Sequence, residues 1–366
     1  MQADKINFID ISVYDRQIKS VAEEKSSTAH SVGYLDHLHQ DIHPVVIRFG
    51  AKYETSGIYQ LYRYSFRDLL VLFQFMKANR PAVVLFHSFR FPIRFLLLKL
   101  LLGTNTKFII QHHAEKPSPN VVKCLIQRIC YGYATRFMFV SREQAAPFIM
   151  SGIIKSEKDI SEIMECSSSF SLQDQKNARQ GLDIPHNRRI FIWVGHLNSN
   201  KDPMCMFQAL DMYKQKGNDF LLYVFFGQTD LLAEVQDFIS RKDLSQNVKL
   251  MGKIQNCELE QWFNAADFYI SCSQYEGSGI ALAEAMSCGC IPIVSNIPSF
   301  RHMTANGEAG FLFTAGSAES LAENLQRAND SDVPAGRLQA RKVFELLLSF
   351  DTIGGRVSAL VRELHS

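Results

Sequence analysis

Tyr275 to Gly289 reads YEGSGIALAEAMSCG. An apolar run ends, Glu276 follows, Gly277 and Gly279 frame Ser278, and a small-residue helical stretch opens near Ile280. The two glycines let the backbone approach a ligand closely, and a helix start offers unpaired N–H groups to an anion. Glu284 lies eight positions after Glu276, which separates the two by about 12 Å if the whole span is helical. That exceeds the roughly 5–9.5 Å between the carboxyls of a glycoside-cleaving pair. It suits a long ligand, a diphosphate at the helix start with one carboxylate at each end of the molecule. The plainer alternative is a charge at a helix N-terminus plus a solvated helix residue.

A second segment, Trp193 to Pro203, reads WVGHLNSNKDP. Gly195 ends an apolar run and Lys201 follows at the head of the next helical stretch, within reach of a phosphate at a strand end. A cation there is mildly unfavourable against the helix dipole, which hints at a task. A third segment, Gln111 to Glu115, reads QHHAE. Its His112 and His113 are candidates for hydrogen bonding to a ligand, or for satisfied loop positions. A His-His-x-Glu metal site is disfavoured because adjacent side chains diverge, and no metal is expected. Ser141, at the end of FMFV, is a further strand-end candidate.

These segments need a scaffold that delivers strand ends to one place. Strand-length apolar runs occur at Ile190–Val194, Leu221–Phe226, Val248–Met251, Phe268–Ser271 and Ile291–Val294, with helical spacing between them. The first half repeats the theme at Ile6–Ile11, Val45–Phe49, Val83–His87, Phe108–Gln111 and Phe137–Val140, with helices over Phe66–Ala78 and Val121–Tyr133. Alternating strands and helices predict a parallel sheet covered on both faces. The expected class is α/β, two Rossmann-like doubly wound domains facing across a cleft. The first spans 1–170 and the second 189–345. The polar stretch 171–188 reads as a linker, and 346–366 as a terminal helix that crosses back to the first domain. Ligands then belong beyond the carboxyl ends of the strands.

Composition narrows the function classes. Lys and Arg number 39 against 37 Asp and Glu, which argues against a dedicated nucleic-acid binder. Eight cysteines lack the spacing of a disulfide framework or zinc site, so reduced thiols in the cytoplasm are expected. No basic-then-apolar leader opens the chain, and the most apolar run, Phe91 to Leu102, is too short to span a bilayer. Phe89 to Lys107 sets that run among Arg90, Arg94, Lys99 and Lys107. Two readings stand: a face resting on an anionic membrane, or, more plainly, a core helix packed on the sheet. Phe8 to Thr28 holds no glycine, which removes the fingerprint of a dinucleotide oxidoreductase.

Together the segments resemble the donor half of the retaining family 4 glycosyltransferases, whose fold is called GT-B. Glu276 and Glu284 match that family's pair of glutamates, within a run similar to Glu-Gly-x-Gly through Glu-Ala-Met-x-x-Gly. Gly195, His196, Leu197 and Lys201 resemble its Gly-Arg-Leu-x-x-x-Lys. The resemblance is close over about Ile190 to Phe313 and an outline in the first half. It implies a nucleotide-sugar donor, a glycan or lipid-linked acceptor, cell-envelope polysaccharide or lipopolysaccharide synthesis, and no cofactor. By it Glu276 contacts sugar hydroxyls, Glu284 the ribose, and the amides near Gly279 and Ile280, with Lys201, the diphosphate. Backbone around Gly252 to Gln255, Ile254 included, meets the base, and His113 lies by the transferred sugar. The family's arginine is His196 here, and an imidazole is mostly neutral at pH 7. Either phosphate raises its pKa or Lys201 carries more of the load. A non-catalytic nucleotide-sugar-binding partner protein is the alternative this replacement leaves open.

Overall fold

The computed structural model describes residues 5–366, and for residues 15 and 16 the backbone alone. The chain divides into two units, Met1–Cys166 with Phe350–Ser366, and Ser167–Ser349. Both are doubly wound α/β, as the strand–helix alternation predicts.

In the first unit the strands are β1 (Ile6–Ile18), β2 (Ile42–Gly50), β3 (Glu54–Ser56), β4 (Tyr59–Tyr62), β5 (Val83–His87), β6 (Lys107–Gln111), β7 (Arg136–Phe139) and β8 (Ile160–Glu162). They form one sheet in the order β3-β4-β2-β1-β5-β6-β7-β8, parallel except for the β3–β4 hairpin. Strand β5, VVLFH, is buried along its whole length, the continuous apolar run that a sheet covered on both faces demands. Helices α1 (Val21–Val32), α2 (Phe66–Asn79), α3 (Pro92–Leu102), α4 (Val121–Tyr131) and α5 (Arg142–Met150) complete the unit. The helix Phe350–His365 also belongs to it. There the backbone N–H of His39 donates to Ser358 Oγ at 2.9 Å, and Gly33 makes room for the Phe350 ring.

Strand β1 runs to Ile18, well beyond the expected Ile11. Two register shifts against β2, after Ile11 and after Asp15, bend it. The segment without glycine is therefore strand followed by the Ser20-capped α1, and no tight glycine turn stands there.

The second unit holds β9 (Arg189–Gly195), β10 (Phe220–Phe226), β11 (Val248–Gly252), β12 (Phe268–Ser271), β13 (Ile291–Ser295) and β14 (Phe311–Phe313). Their order is β11-β10-β9-β12-β13-β14, all parallel. Counted along the unit this is 3-2-1-4-5-6, the Rossmann order, in which the direction of winding reverses between β9 and β12. The helices are α6 (Gln175–Gly181), α7 (Pro203–Gln215), α8 (Leu232–Arg241), α9 (Asn256–Ala265), α10 (Ile280–Ser287), α11 (Pro298–Met303), α12 (Ala318–Asn329) and α13 (Val333–Leu347).

Residues 171–188, expected as a linker, are part of this unit. Helix α6 lies in them, and its buried Arg179 donates to Ala265 O at 2.8 Å and to Asp267 Oδ1 at 2.7 Å. The stretch looks solvated in sequence because a paired cation shares its inner side with only a few apolar side chains, Ala178 and Ile184 among them.

Candidate functional site

The reversal point between β9 and β12 is where a Rossmann sheet opens a crevice, and the two strands deliver the two sharpest sequence segments there. After Gly195 the chain turns through His196 to Asn200, pinned by Leu197, which is wholly buried in the core. The Asn198 side chain accepts the Lys201 N–H at 3.1 Å, and Asp202, at φ 44°, caps α7. Three hydrogen bonds tie this turn to the loop after β12. Asn200 Nδ2 donates to Tyr275 O at 3.0 Å, the Gln274 N–H to Asn200 O at 2.8 Å, and Gln274 Nε2 to Asp202 Oδ2 at 2.7 Å. The outcome is an ion pair between Lys201 Nζ and Glu276 Oε1, both partly shielded from solvent.

Past Glu276, Gly277 and Ser278 are buried and Gly279 takes φ 83°. A Cβ at Gly279 would stand 2.6 Å from Phe300 Cε1, so the left-handed backbone and the close approach both require glycine here. Helix α10 starts at Ile280 with no side-chain cap; the Leu282 N–H donates to Gly279 O at 3.0 Å, and the N–H groups of Ile280 and Ala281 ahead of it are the ones placed to meet an anion. Because the helix begins at Ile280, the span from Glu276 to Glu284 is part loop, and the fully helical spacing does not apply. Glu284 is buried, its Oε1 accepting from Asn256 Nδ2 at 2.7 Å. Burial raises its pKa to about 7, the Asn256 hydrogen bond opposing.

His196 is exposed, and its Nδ1 accepts the Gln228 backbone N–H at 3.3 Å. A nitrogen that accepts a hydrogen bond carries no proton, which leaves Nε2 as the ring's donor in this contact. Gly252 ends β11 at φ 73° with open space where a Cβ would stand, and Ile254 follows half-buried in the loop.

The candidates of the first unit behave differently. His113 Nε2 meets His87 Nδ1 at 2.8 Å, and its Nδ1 meets Glu165 Oε2 at 2.5 Å. His87 Nε2 in turn meets Asp10 Oδ1 at 2.8 Å. Asp10, wholly buried, also receives Arg48 at 2.7 Å and the Tyr34 hydroxyl at 2.9 Å, and Arg48 reaches Glu24 at 3.0 Å. Burial alone would raise the Asp10 carboxyl, but Arg48 and His87 hold it well below the usual carboxylate range. Burial depresses the His87 pKa, with Asp10 opposing.

His112 points elsewhere, its Nε2 on Glu115 O at 2.9 Å and its ring stacked 4.8 Å from Phe139. The two adjacent histidines thus diverge, as their adjacency suggests. Ser141 caps α5 in a reciprocal capping box with Gln144. The network of Asp10, Arg48 and His87 was not singled out from the sequence. Its signal was present: a lone charged residue inside each apolar strand run, FIDIS and VVIRFG.

Residues 174–342 match the family model of the glycosyl transferases group 1. Among the curated proteins similar to part of the chain are two glycosyltransferases. One is the GDP-mannose:cellobiosyl-diphosphopolyprenol alpha-mannosyltransferase of Xanthomonas oryzae pv. oryzae, 28% identical over 153 residues, 42% of this chain and 40% of that protein. The other is an amylovoran biosynthesis glycosyltransferase of Erwinia amylovora, 30% identical over 172 residues, 44% and 42% of the two chains. The chain spans about two fifths of the length of these relatives. Among solved structures, the Anabaena protein HepE in complex with UDP matches 98% of this chain and 100% of its own, with a TM-score of 0.71 at 16% identity. Such an identity speaks for fold alone, and the fold is GT-B.

Proposed function

We propose that the protein is a retaining glycosyltransferase. In this reading it moves a sugar from a nucleoside-diphosphate sugar to a glycan or lipid-linked acceptor in cell-envelope polysaccharide or lipopolysaccharide synthesis. It works in the cytoplasm or against the inner face of the membrane. One observation carries the reading: the Lys201–Glu276 pair stands at the reversal point of a Rossmann sheet, beside a glycine loop that opens onto an uncapped helix start. The Xanthomonas relative, named for a GDP-mannose donor and a polyprenol-linked acceptor, supports the same classes of substrate.

The amides at Gly279 and Ile280, with Lys201, hold the diphosphate, and His196 Nε2 adds a donor. Gly195, Gly277 and Ser278 line that approach. Backbone from Gly252 to Ile254 meets the base, Glu284 the ribose and Glu276 the sugar hydroxyls. The bond from the sugar's anomeric carbon to the diphosphate breaks, its electron pair leaving on the phosphate oxygen. The acceptor hydroxyl bonds to the same face of that carbon and passes its proton to the departing phosphate. Lys201 and the helix amides stabilise the charge that develops there. With those groups in place no metal is required, and a chelator should leave turnover unchanged. His113 contributes beside the transferred sugar; both its ring nitrogens already have partners, so a ligand hydroxyl must displace His87 or Glu165.

The test is a thermal-shift screen against UDP, GDP, ADP, CMP and NAD, with Lys201→Ala alongside. A ligand at about a hundred times its dissociation constant adds about 2.7 kcal/mol to stability by mass action. One nucleoside diphosphate should raise the melting temperature of the unmodified protein and not of the variant. Stabilisation by NAD alone, or by none of the five, would overturn the donor-site assignment.

Glu284 adds a pH signature. A ribose hydroxyl donates to its carboxylate form, so donor binding should tighten as pH rises through about 7 and level off above. From pH 8 to pH 6 the ionised fraction falls by about an order of magnitude, and affinity with it. Calorimetry with a nucleotide sugar, whose diphosphate does not titrate in that range, measures this. Glu284→Gln should flatten the profile, and an unmodified protein with a flat profile would count against the ribose contact.

A further inference from the structure

The run Phe89 to Lys107 reads most plainly as a core helix, and α3 does pack on the core through Phe95, Leu96, Leu98 and Leu102, but its other side is left in solvent. Only Phe95 of α3 is buried, whereas Leu97 is 63% and Leu100 67% exposed. Ile93, Leu97 and Leu100 follow at four- and three-residue steps, so they form one outward stripe on the helix. Helix α4 packs on α3 and carries a second stripe, Val121, Leu125 and Ile129, all more than half exposed. Two neighbouring helices therefore turn apolar stripes to solvent, where a soluble helix would turn polar ones.

Charge identifies what covers them. From Leu69 to Arg142, a stretch that begins after Asp68 of α2 and contains the whole of α3 and α4, the chain holds eleven Lys and Arg and a single acid, Glu115, which is buried. The rest of the chain is net acidic, since the totals nearly balance. Arg94, Lys123 and Arg128 stand exposed on or beside the two stripes. A second copy docking face to face through this patch would bring like charges together, which disfavours a dimer. An anionic bilayer meets both features at once: apolar side chains enter the acyl boundary and the cations meet headgroup phosphates. No helix among the described residues is long and apolar enough to cross a membrane, so the contact is made in the plane of the surface.

We infer that the α3–α4 face seats the first unit on an anionic lipid surface. The inference uses residues of that unit alone and holds whatever the second unit transfers. The test is co-sedimentation of the full chain with vesicles of phosphatidylcholine, with and without phosphatidylglycerol, at low and high salt. The expected result is binding to the anionic vesicles only, weakened by salt. Two exposed double variants are compared, Leu97→Ser with Leu100→Ser, and Lys123→Glu with Arg128→Glu. Each should lose about tenfold or more in vesicle affinity while keeping the melting temperature of the unmodified protein. A protein that stays in the supernatant with anionic vesicles would overturn the inference. So would variants that bind as well as the parent, or a dimer in light scattering that the same substitutions dissociate.

Discussion

Arg48→Ala is expected to destabilise the first unit by about 3–5 kcal/mol, a large fraction of an ordinary domain's stability. Arg48 lies almost wholly out of solvent with Asp10 and Glu24, at 2.7 and 3.0 Å. Its Nη1 also donates to the carbonyls of Asp10 and Ile47, at 3.0 and 2.9 Å. Truncation leaves two buried carboxylates without their cation and takes the Nη1 hydrogen bonds from two carbonyls. The pair Arg241–Asp237 is the control. It is more than half exposed on both sides, so Arg241→Ala should change stability by no more than about 0.5 kcal/mol. Urea unfolding of both variants measures the contrast, and similar midpoints would refute it. The sign with pH follows from the depressed Asp10 carboxyl. Its stabilisation is present above the unfolded carboxylate range and is lost only as pH falls through strongly acid values. Without Arg48 that pKa rises, so acid unfolding of the variant should begin nearer neutrality.

How far the sequence reveals this molecule depends on which force holds each part. Strands such as Ile190–Val194 and Phe268–Ser271 were legible because a sheet covered on both faces demands unbroken apolar runs, and β9 and β12 lie where those runs do. The three-residue strands β3, β8 and β14 were not, because three residues carry no periodicity. Helix α6 was hidden by a polar composition whose inner side is held by Arg179. For the candidate site, spacing alone singled out Lys201, Glu276 and Glu284. That Lys201 and Glu276 touch follows from the sheet order, which pairs β9 with β12 although some eighty residues separate them in the chain. Propensity does not encode such long-range adjacency. The tautomer of His196 was equally invisible, since it is set by the Gln228 amide on another loop. For α3 the sequence offered a membrane face and a core helix together, and periodicity could not show that one side packs on the core while Leu97 and Leu100 stay exposed.

Glu276→Gln is expected to lower the rate of sugar transfer by about 10²–10³-fold while tightening the binding of the bare nucleoside diphosphate several-fold. The opposite signs follow from the ion pair. With no ligand present, Lys201 is held by the Glu276 carboxylate. A diphosphate must draw the ammonium away from that partner and also sit near its negative charge. The amide keeps the shape, releases the lysine and removes the repulsion, so the diphosphate binds better. Transfer needs the carboxylate itself, because hydrogen bonds from sugar hydroxyls to a charged acceptor outweigh those to an amide, and more so as the sugar becomes cationic. Lys201→Ala should weaken both diphosphate binding and transfer. The loss of diphosphate binding in Lys201→Ala should grow when Glu276→Gln is already present, since the lysine then has no carboxylate partner to leave. Calorimetry with the diphosphate and turnover of the nucleotide sugar measure the four corners of this cycle. A non-catalytic binding protein would show the binding changes with no transfer to lose. An enzyme in which Glu276 serves only to hold Lys201 would lose binding and transfer together in Glu276→Gln. Separation of the two effects is what identifies Glu276 as a group that meets the sugar.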